Sequence, residues 1–229
     1  MARIILATMG SYGDLFPYLA LAQGLQARGH SPVLATTPFY ADKVAAAGVE
    51  FAPMRPDVTE LGDYAELMRK SNDPRTGTEF VVRRLVLPRL RASYADLMTA
   101  ACNADLIVGQ QLAVAAPMVA AKLGLPWVGS ALAPISFGSQ TDPSVLAPAP
   151  WLHTIQTRMP RLGRLITRMM RNLAAHWSAP IHAMRAELGL PRVQGEPLLE
   201  GQFSPFANLA LFSRHFSPSA ADWPARTSP

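Results

Sequence analysis

The sequence predicts an α/β fold: a doubly wound, Rossmann-like parallel sheet with helices on both faces. Three observations carry this. Short aliphatic runs alternate with amphipathic stretches through the first half of the chain. Glycines (Gly29, Gly48, Gly124) close the amphipathic stretches, where a helix would hand over to the next strand. With 49% hydrophobic and 16% charged residues among 229, there is ample material for a core, and disorder would need the opposite balance.

The elements follow in order. Arg3–Thr8 is a β-branched and aliphatic run and reads as a strand. Asp14–Arg28 carries Leu15, Tyr18, Leu19, Ala22 and Leu25 at helical spacing; Asp14 can cap it, Pro17 falls in its first turn and Gly29 ends it. Pro32–Thr36 is a second strand, Phe39–Ala47 a helix and Val49–Pro53 a third strand. These spacings describe successive βαβ units with right-handed crossovers. Between Asp57 and Cys102 the pattern is helical and more polar, with helical pieces at Thr78–Leu87 and Arg91–Ala101. Asp105–Gly109 then reads as a strand, Leu112–Leu123 as a helix and Pro126–Ser130 as a strand.

Ala133–Pro150 holds four prolines and predicts a long loop, the kind that is usually functional or disordered. His153–Trp177 and Pro180–Leu188 predict helices, and Asn208–Ser213 a final buried strand. The expected domain runs over residues 1–215. Phe216–Pro229, with Pro218, Pro224 and Pro229, reads as an interdomain linker without a closing element.

Several classes are excluded. No run approaches the ~18 apolar residues of a transmembrane helix, and Ile4–Met9 is too short for a signal peptide. A single cysteine, Cys102, rules out a disulfide framework or a cysteine-based metal site, and the five histidines lack ligand spacing, so no metal is expected. A cytoplasmic protein fits best. The net charge of +5 is concentrated: from Trp151 to Arg192 there are seven arginines and one acid, Glu187. That segment suits an acidic partner or a solvated helix face.

The candidate chemistry lies at Met9–Asp14, between the first strand and the first helix. In doubly wound sheets ligands bind beyond the carboxyl ends of the strands, where strand order reverses. With an order of 3-2-1-4-5 this turn lines that crevice. Gly10 and Gly13 would let a ligand approach the backbone, and the helix amides of Ser11 and Tyr12 would favour an anion. A dinucleotide site is a poor match. The motif is Gly-x-x-Gly, and the second strand ends Ala35-Thr36-Thr37-Pro38 with no acid for a ribose. A Walker phosphate loop is absent.

The run Gly10-Ser11-Tyr12-Gly13-Asp14-Leu15-Phe16-Pro17, with Ala20-Leu21-Ala22, Leu25 and Arg28-Gly29-His30, resembles the amino-terminal domain of family 28 glycosyltransferases. These are GT-B enzymes acting on sterols, glycopeptide antibiotics and lipids, and the likeness includes rhamnolipid-type rhamnosyltransferases. It extends through Asp73-Pro74-Arg75, Asp105–Gly109, Gly124-Leu125-Pro126 and Ala221-Asp222-Trp223-Pro224. The resemblance implies the amino-terminal, acceptor-binding half of an inverting enzyme. Such an enzyme moves a hexose from a UDP- or dTDP-linked donor to a hydrophobic alcohol, with no cofactor.

It further implies that Asp14 is the general base. The bare residue pattern allows it to be only a helix cap, and the helix N-terminus is expected to lower its pKa. Gln110 and Gln111 stand where relatives with a histidine base carry an orienting aspartate, so either no relay exists or one of them positions Asp14 or the acceptor. Phe80, Ile135 and Phe137, with Val81, Leu85 and Trp151, are candidates for the acceptor pocket, although apolar residues at helical spacing are more often plain core. The donor site would lie in a second domain, whose His-x-Gly-Gly-type segment this sequence lacks. Alone, the chain is expected to bind acceptor and not to turn over. The competing expectation is a non-catalytic module that partners another glycosyltransferase. An arginine-rich helix resting on anionic lipid at the inner membrane face, and pairing into a dimer, complete the expected partners; nucleic acid is not among them.

Overall fold

Seven parallel strands form one sheet in the order β3-β2-β1-β4-β5-β6-β7. They are β1 (Arg3–Ala7), β2 (Ser31–Thr36), β3 (Glu50–Pro53), β4 (Leu106–Gln110), β5 (Trp127–Ala131), β6 (Ala207–Ala210) and β7 (Thr227–Ser228). They are seen in a computed structural model, which describes residues 1–193 and 195–228. The helices are α1 (Tyr12–Gln26), α2 (Ala41–Ala46), α3 (Tyr64–Ser71), α4 (Gly77–Phe80), α5 (Leu90–Ala100), α6 (Ala116–Leu123), α7 (Pro150–Arg158), α8 (Pro160–Ala174) and α9 (Ala179–Glu187).

The strands are buried on both faces, which is why they read as continuous apolar runs rather than alternating ones. Within β1, Ile5 and Ala7 face a core shared with Leu90 and Leu97 of α5, Met118 and Val119 of α6, and Met184 of α9. Ile4 and Leu6 face the opposite core with Leu15, Tyr18, Leu19 and Ala22 of α1 and Val44 of α2. Truncating Leu15 or Leu19 to alanine would cost about 2–5 kcal/mol. Tyr18 ties α1 to the sheet beyond packing: its buried hydroxyl lies 2.6 Å from Ser130 Oγ on β5.

The expected strand order holds, and two further strands extend it. Strand order reverses beside β1, which has β2 on one side and β4 on the other. The turns after β1 and β4 therefore open a crevice at the carboxyl edge of the sheet.

Several boundaries differ for local reasons. α1 begins at Tyr12, two residues before the expected start, because Ser11 caps it: the Ser11 side chain accepts from Gly13 N at 3.2 Å, and Asp14 accepts back from Ser11 N at 2.7 Å. Pro17 consequently lies inside the helix and cannot donate to the Gly13 carbonyl four residues back. α6 starts at Ala116 rather than Leu112. The long helix expected over His153–Trp177 is two helices. Met159 leaves helical geometry at φ −133°, ψ 66°, and Pro160 starts α8, since the residue before a proline is pushed out of the α region. The Ala133–Pro150 loop contains a 3₁₀ turn at Pro134–Phe137.

The tail also closes on the sheet. Asn208 and Leu209 pair with Thr227 and Ser228, so β7 is the closing element that the sequence did not announce. Upstream of it, Trp223 packs on Phe137 with ring centroids 4.4 Å apart. Residues 216–228 are thus laid against the body of the domain.

Candidate active site

The Asp14 carboxylate sits at the crevice, held by three donors. Its Oδ2 accepts from Ser11 N at 2.7 Å and lies 3.1 Å from Ser11 Oγ. Its Oδ1 accepts from Gln110 Nε2 at 2.8 Å. Gln110 ends β4 and is buried, and its own Oε1 accepts from Met9 N at 3.3 Å. A backbone donor at one end and a carboxylate at the other fix which way round this amide lies. The candidates Asp14 and Gln110 thus meet. Gln111 does not join them, because it donates to the Ser136 carbonyl at 2.9 Å, toward the segment that follows β5.

Burial pushes the Asp14 carboxyl above its ordinary value, against the hydrogen bonds from Ser11 that pull it down. The direction is opposite to that expected from the helix N-terminus alone. Desolvation outweighs the dipole because no cation faces the carboxylate in its hydrogen-bonding set: both partners, Ser11 and Gln110, are neutral. A carboxylate whose pKa is raised in this way is the stronger base when it is ionised.

The glycines of the turn play roles that the sequence did not separate. Gly10 has φ +138°, and a Cβ placed there would lie 2.2 Å from Asp14 Oδ2. Gly10 therefore makes room for the carboxylate of this chain, not for a ligand. At Gly13 a Cβ would meet only Ser11 Oγ, at an ordinary 3.4 Å. The Tyr40 hydroxyl holds the turn by donating to the Gly10 carbonyl at 3.1 Å, and burial keeps that hydroxyl well up and protonated. The amides of Ser11, Gly13 and Asp14 all donate within the turn, which weakens the case for an anion cradle there. The Tyr12 ring stacks on Phe16 at 5.4 Å and lies under Lys43 Nζ at 5.8 Å.

Beyond the carboxyl end of β5 lies a cavity of about 570 Å³. Ile135 and Phe137 line it, together with Gln156 and Thr167 on α7 and α8, Phe203 and Asp222. Asp14 is not in its wall; the Gln111–Ser136 hydrogen bond links the strand edge beside Asp14 to the cavity rim. Phe137 is largely buried among Phe203, Phe212 and Trp223, so it builds the wall more than it contacts a guest. Ile135 is 48% exposed and is the apolar surface on offer.

Phe80, Val81 and Leu85 do not line this cavity. Their segment packs on the α5–α6 face of the sheet, where Val81 and Val82 join the core, and Lys70 Nζ lies 5.9 Å from the Phe80 ring. Trp151 is exposed on α7. Asp73, in the Asp73-Pro74-Arg75 motif, accepts from the Arg75 and Thr76 amides at 2.9 and 2.7 Å and shapes a turn.

Sequence reasoning missed Asp222 as a wall residue. It accepts from Ser139 Oγ at 2.7 Å, Thr141 Oγ1 at 2.7 Å and Gln140 N at 2.6 Å, stapling the tail to the loop over the cavity. The signal available was the Ala221-Asp222-Trp223-Pro224 motif. Among the described residues no three His, Cys, Asp or Glu side chains cluster as ligands for a metal ion.

Solved structures of glycosyltransferases share this fold. SsfS6 of Streptomyces sp. SF2575 matches with a TM-score of 0.54 at 20% identity, over 92% of this chain and 50% of that one. The kitacinnamycin glycotransferase matches with 0.55 at 22%, over 99% and 50%. At these identities the likeness is one of fold. The chain itself belongs to glycosyltransferase family 28, whose N-terminal domain matches residues 4–128. Sterol 3-beta-glucosyltransferases from Neurospora crassa and Penicillium rubens are 33% and 35% identical over 129 residues, 55% of this chain. The match takes in 8% and 9% of those two proteins.

Proposed function

We propose that this chain is the acceptor-binding half of an inverting glycosyltransferase, with Asp14 as its general base. The observation that carries the reading is the half-buried Asp14 carboxylate, raised in pKa and oriented by Gln110 at the crevice edge. A hydrophobic alcohol would occupy the cavity beyond β5 and present its hydroxyl to Asp14. As that oxygen attacks the anomeric carbon from the face opposite the nucleotide, its proton passes to the Asp14 carboxylate, and the C–O bond to the nucleotide diphosphate breaks. Direct displacement inverts the anomeric centre.

A second domain would hold the UDP- or dTDP-hexose, in keeping with a chain that spans about half of its structural neighbours. The acceptor class is a lipid, sterol or polyketide-like alcohol. The fungal relatives are named for sterols, and the cavity volume suits a drug-sized guest. A purely auxiliary module would need Asp14 only as the partner of the Ser11 cap, a role that the Ser11 contacts fill without Gln110. The intact Asp14–Gln110 pair therefore favours catalysis.

The test is transfer from labelled UDP- and dTDP-hexoses to ergosterol or a fatty alcohol. The chain is co-expressed with a family 28 carboxy-terminal domain, and the Asp14→Asn variant is run beside it. Transfer with inversion, lost at least 100-fold in the variant with acceptor binding retained, is the expected result. A folded variant with parental turnover would overturn the assignment.

A further inference from the structure

Gln156 has one amide end that nothing in the described chain satisfies. It lies on α7, lines the cavity beyond β5 and bonds to Thr167 of α8. Thr167 Oγ1 donates its hydrogen to the Gly163 carbonyl at 2.9 Å, so toward Gln156 it can only accept, and Nε2 donates to it at 3.1 Å. That fixes the amide: the nitrogen turns to Thr167, and the oxygen is the open end. Oε1 is closed to solvent and has no hydrogen-bond partner among the described residues. Buried polar groups are almost always partnered, and an acceptor left open is a cost to the fold. The other atoms in this condition, His30 Nδ1 and Ser71 Oγ, are not in the cavity wall.

The charged side chains of the same wall are already engaged. Asp222 accepts from Ser139, Gln140 and Thr141. Arg171 pairs with Glu200, whose second oxygen accepts from Glu196 N at 3.0 Å. With guanidinium and carboxylate joined, neither calls for a counter-ion, and a charged group on a guest would meet its like. A neutral donor suits Gln156. An ether, ester or ketone oxygen does not, because it has no hydrogen to give. The layout of the cavity adds a direction. Ser136, on its rim, is tied by Gln111 to the strand edge beside Asp14. Gln156 and Thr167 belong to a separate wall, built by α7 and α8.

We propose that Gln156 determines specificity and that the acceptor is doubly hydroxylated. One hydroxyl goes to Asp14 for transfer, and a second, toward the other end of the molecule, donates to Gln156 Oε1. The terminal torsion of a glutamine is broad, so a modest turn of the amide brings Oε1 to the guest. The second hydroxyl then satisfies the oxygen that the fold leaves open. A mono-alcohol with an apolar far end covers that oxygen without giving it a hydrogen, and is the poorer guest. This choice of substrate class rests on the glycosyl-transfer reading above.

The experiment is titration calorimetry of the chain with three guests of one carbon-chain length: decanol, α,ω-decanediol and the monomethyl ether of that diol. Whichever way round it lies, a guest with a single hydroxyl serves only one end of the site. The parent should bind the diol roughly tenfold tighter than the other two, the worth of one donor given to a buried acceptor. Gln156→Leu should bind all three alike. Gln156→Glu, which keeps an acceptor oxygen in place, should keep the preference, with circular dichroism checking that both variants fold. A parent that binds the three alike, or binds none, overturns the proposal whether or not the variants fold. A preference that survives in folded Gln156→Leu overturns it too. The glycosyl-transfer reading fails separately. With the donor half co-expressed, no transfer to a diol that the chain prefers would sink that reading and leave the Gln156 contact standing. Transfer to decanol and to the diol with equal kcat/KM would sink the Gln156 proposal and leave the transfer reading standing.

Discussion

Gln110 Nε2 donates to Asp14 Oδ1 across 2.8 Å, while the same amide accepts from Met9 N through Oε1. The partner of the candidate base is therefore neutral and cannot titrate. It orients Asp14 without adding charge, and the elevation of the Asp14 pKa comes from burial. A second carboxylate at position 110 would change this sharply. Gln110→Glu places two acids within hydrogen-bond reach, and the pair then holds a shared proton to a higher pH than Asp14 does alone. The acid limb of the kcat profile should move up by about one pH unit or more. Carboxyl-carbon NMR titration of the isolated chain should show the same coupled shift. A profile superimposable on the parent's would mean that Gln110 does not act on Asp14.

The raised pKa also makes a prediction about stability. A folded state that holds the Asp14 proton more tightly than the unfolded chain gains from low pH. That contribution is fully present below the ordinary aspartate value of about 4 and is lost as pH rises through the folded value. Asp14→Asn has no such term, although its amide offers one acceptor where the carboxylate offered two, and so strands a donor at about 1–3 kcal/mol. The stability of the parent relative to the variant should therefore be greatest below pH 4 and shrink as the pH rises from there. Urea titrations at four pH values measure it. A gap that widens with pH would show a carboxyl lowered rather than raised.

Gly10 offers a geometric test of the same turn. Gly10→Ala puts a methyl 2.2 Å from Asp14 Oδ2 at a φ of +138°. The backbone alone should cost about 1–3 kcal/mol, and displacement of the carboxylate should lower transfer about 100-fold. In an Asp14→Ala background the collision is gone, so Gly10→Ala should cost measurably less there, a coupling that a double-mutant cycle reads directly. Gly13→Ala, facing only Ser11 Oγ at 3.4 Å, should be near neutral. Equal costs at Gly10 in both backgrounds would place the strain elsewhere.

These tests concern a turn whose position was legible in the sequence and whose internal wiring was not. Strands such as Arg3–Ala7 and Leu106–Gln110 are buried on two sides, so an unbroken apolar run betrays them. Gly29, Gly48 and Gly124 punctuate the helices in between, so strand order and crevice follow. The role of Asp14 within the helix turned on a three-residue shift of the cap, which moves Asp14 from cap to third position and was decided by Ser11. The sign of its pKa needed the depth of burial, which no local pattern carries. Helical spacing marked Phe80 and Val81 as buried without telling which face of the sheet would bury them. β7 has two residues and no periodicity, and Asp222, which accepts from Ser139 Oγ at 2.7 Å, reaches back 83 positions.

That last contact supports a final prediction. Burial works to raise the Asp222 pKa, but the Ser139 and Thr141 hydroxyls and the Gln140 and Thr141 amides together outweigh it and hold the carboxyl at about 2. Because the folded value is depressed, Asp222 stabilises the fold above the ordinary value of about 4, and the contribution is lost as pH falls toward 2. The carboxylate is exposed, so solvent screening limits Asp222→Asn to a cost on the order of 1 kcal/mol at pH 7. The denaturation midpoints of parent and variant should differ at pH 7 and converge near pH 2. Loosening the 139–141 loop also opens the cavity wall beside Ile135, away from Asp14. In the complete enzyme the variant should therefore raise the acceptor KM several-fold and leave kcat within about twofold, because uniform binding is weakened and the proton transfer is untouched. A fall in kcat with KM unchanged would instead tie the tail staple to the chemistry at Asp14.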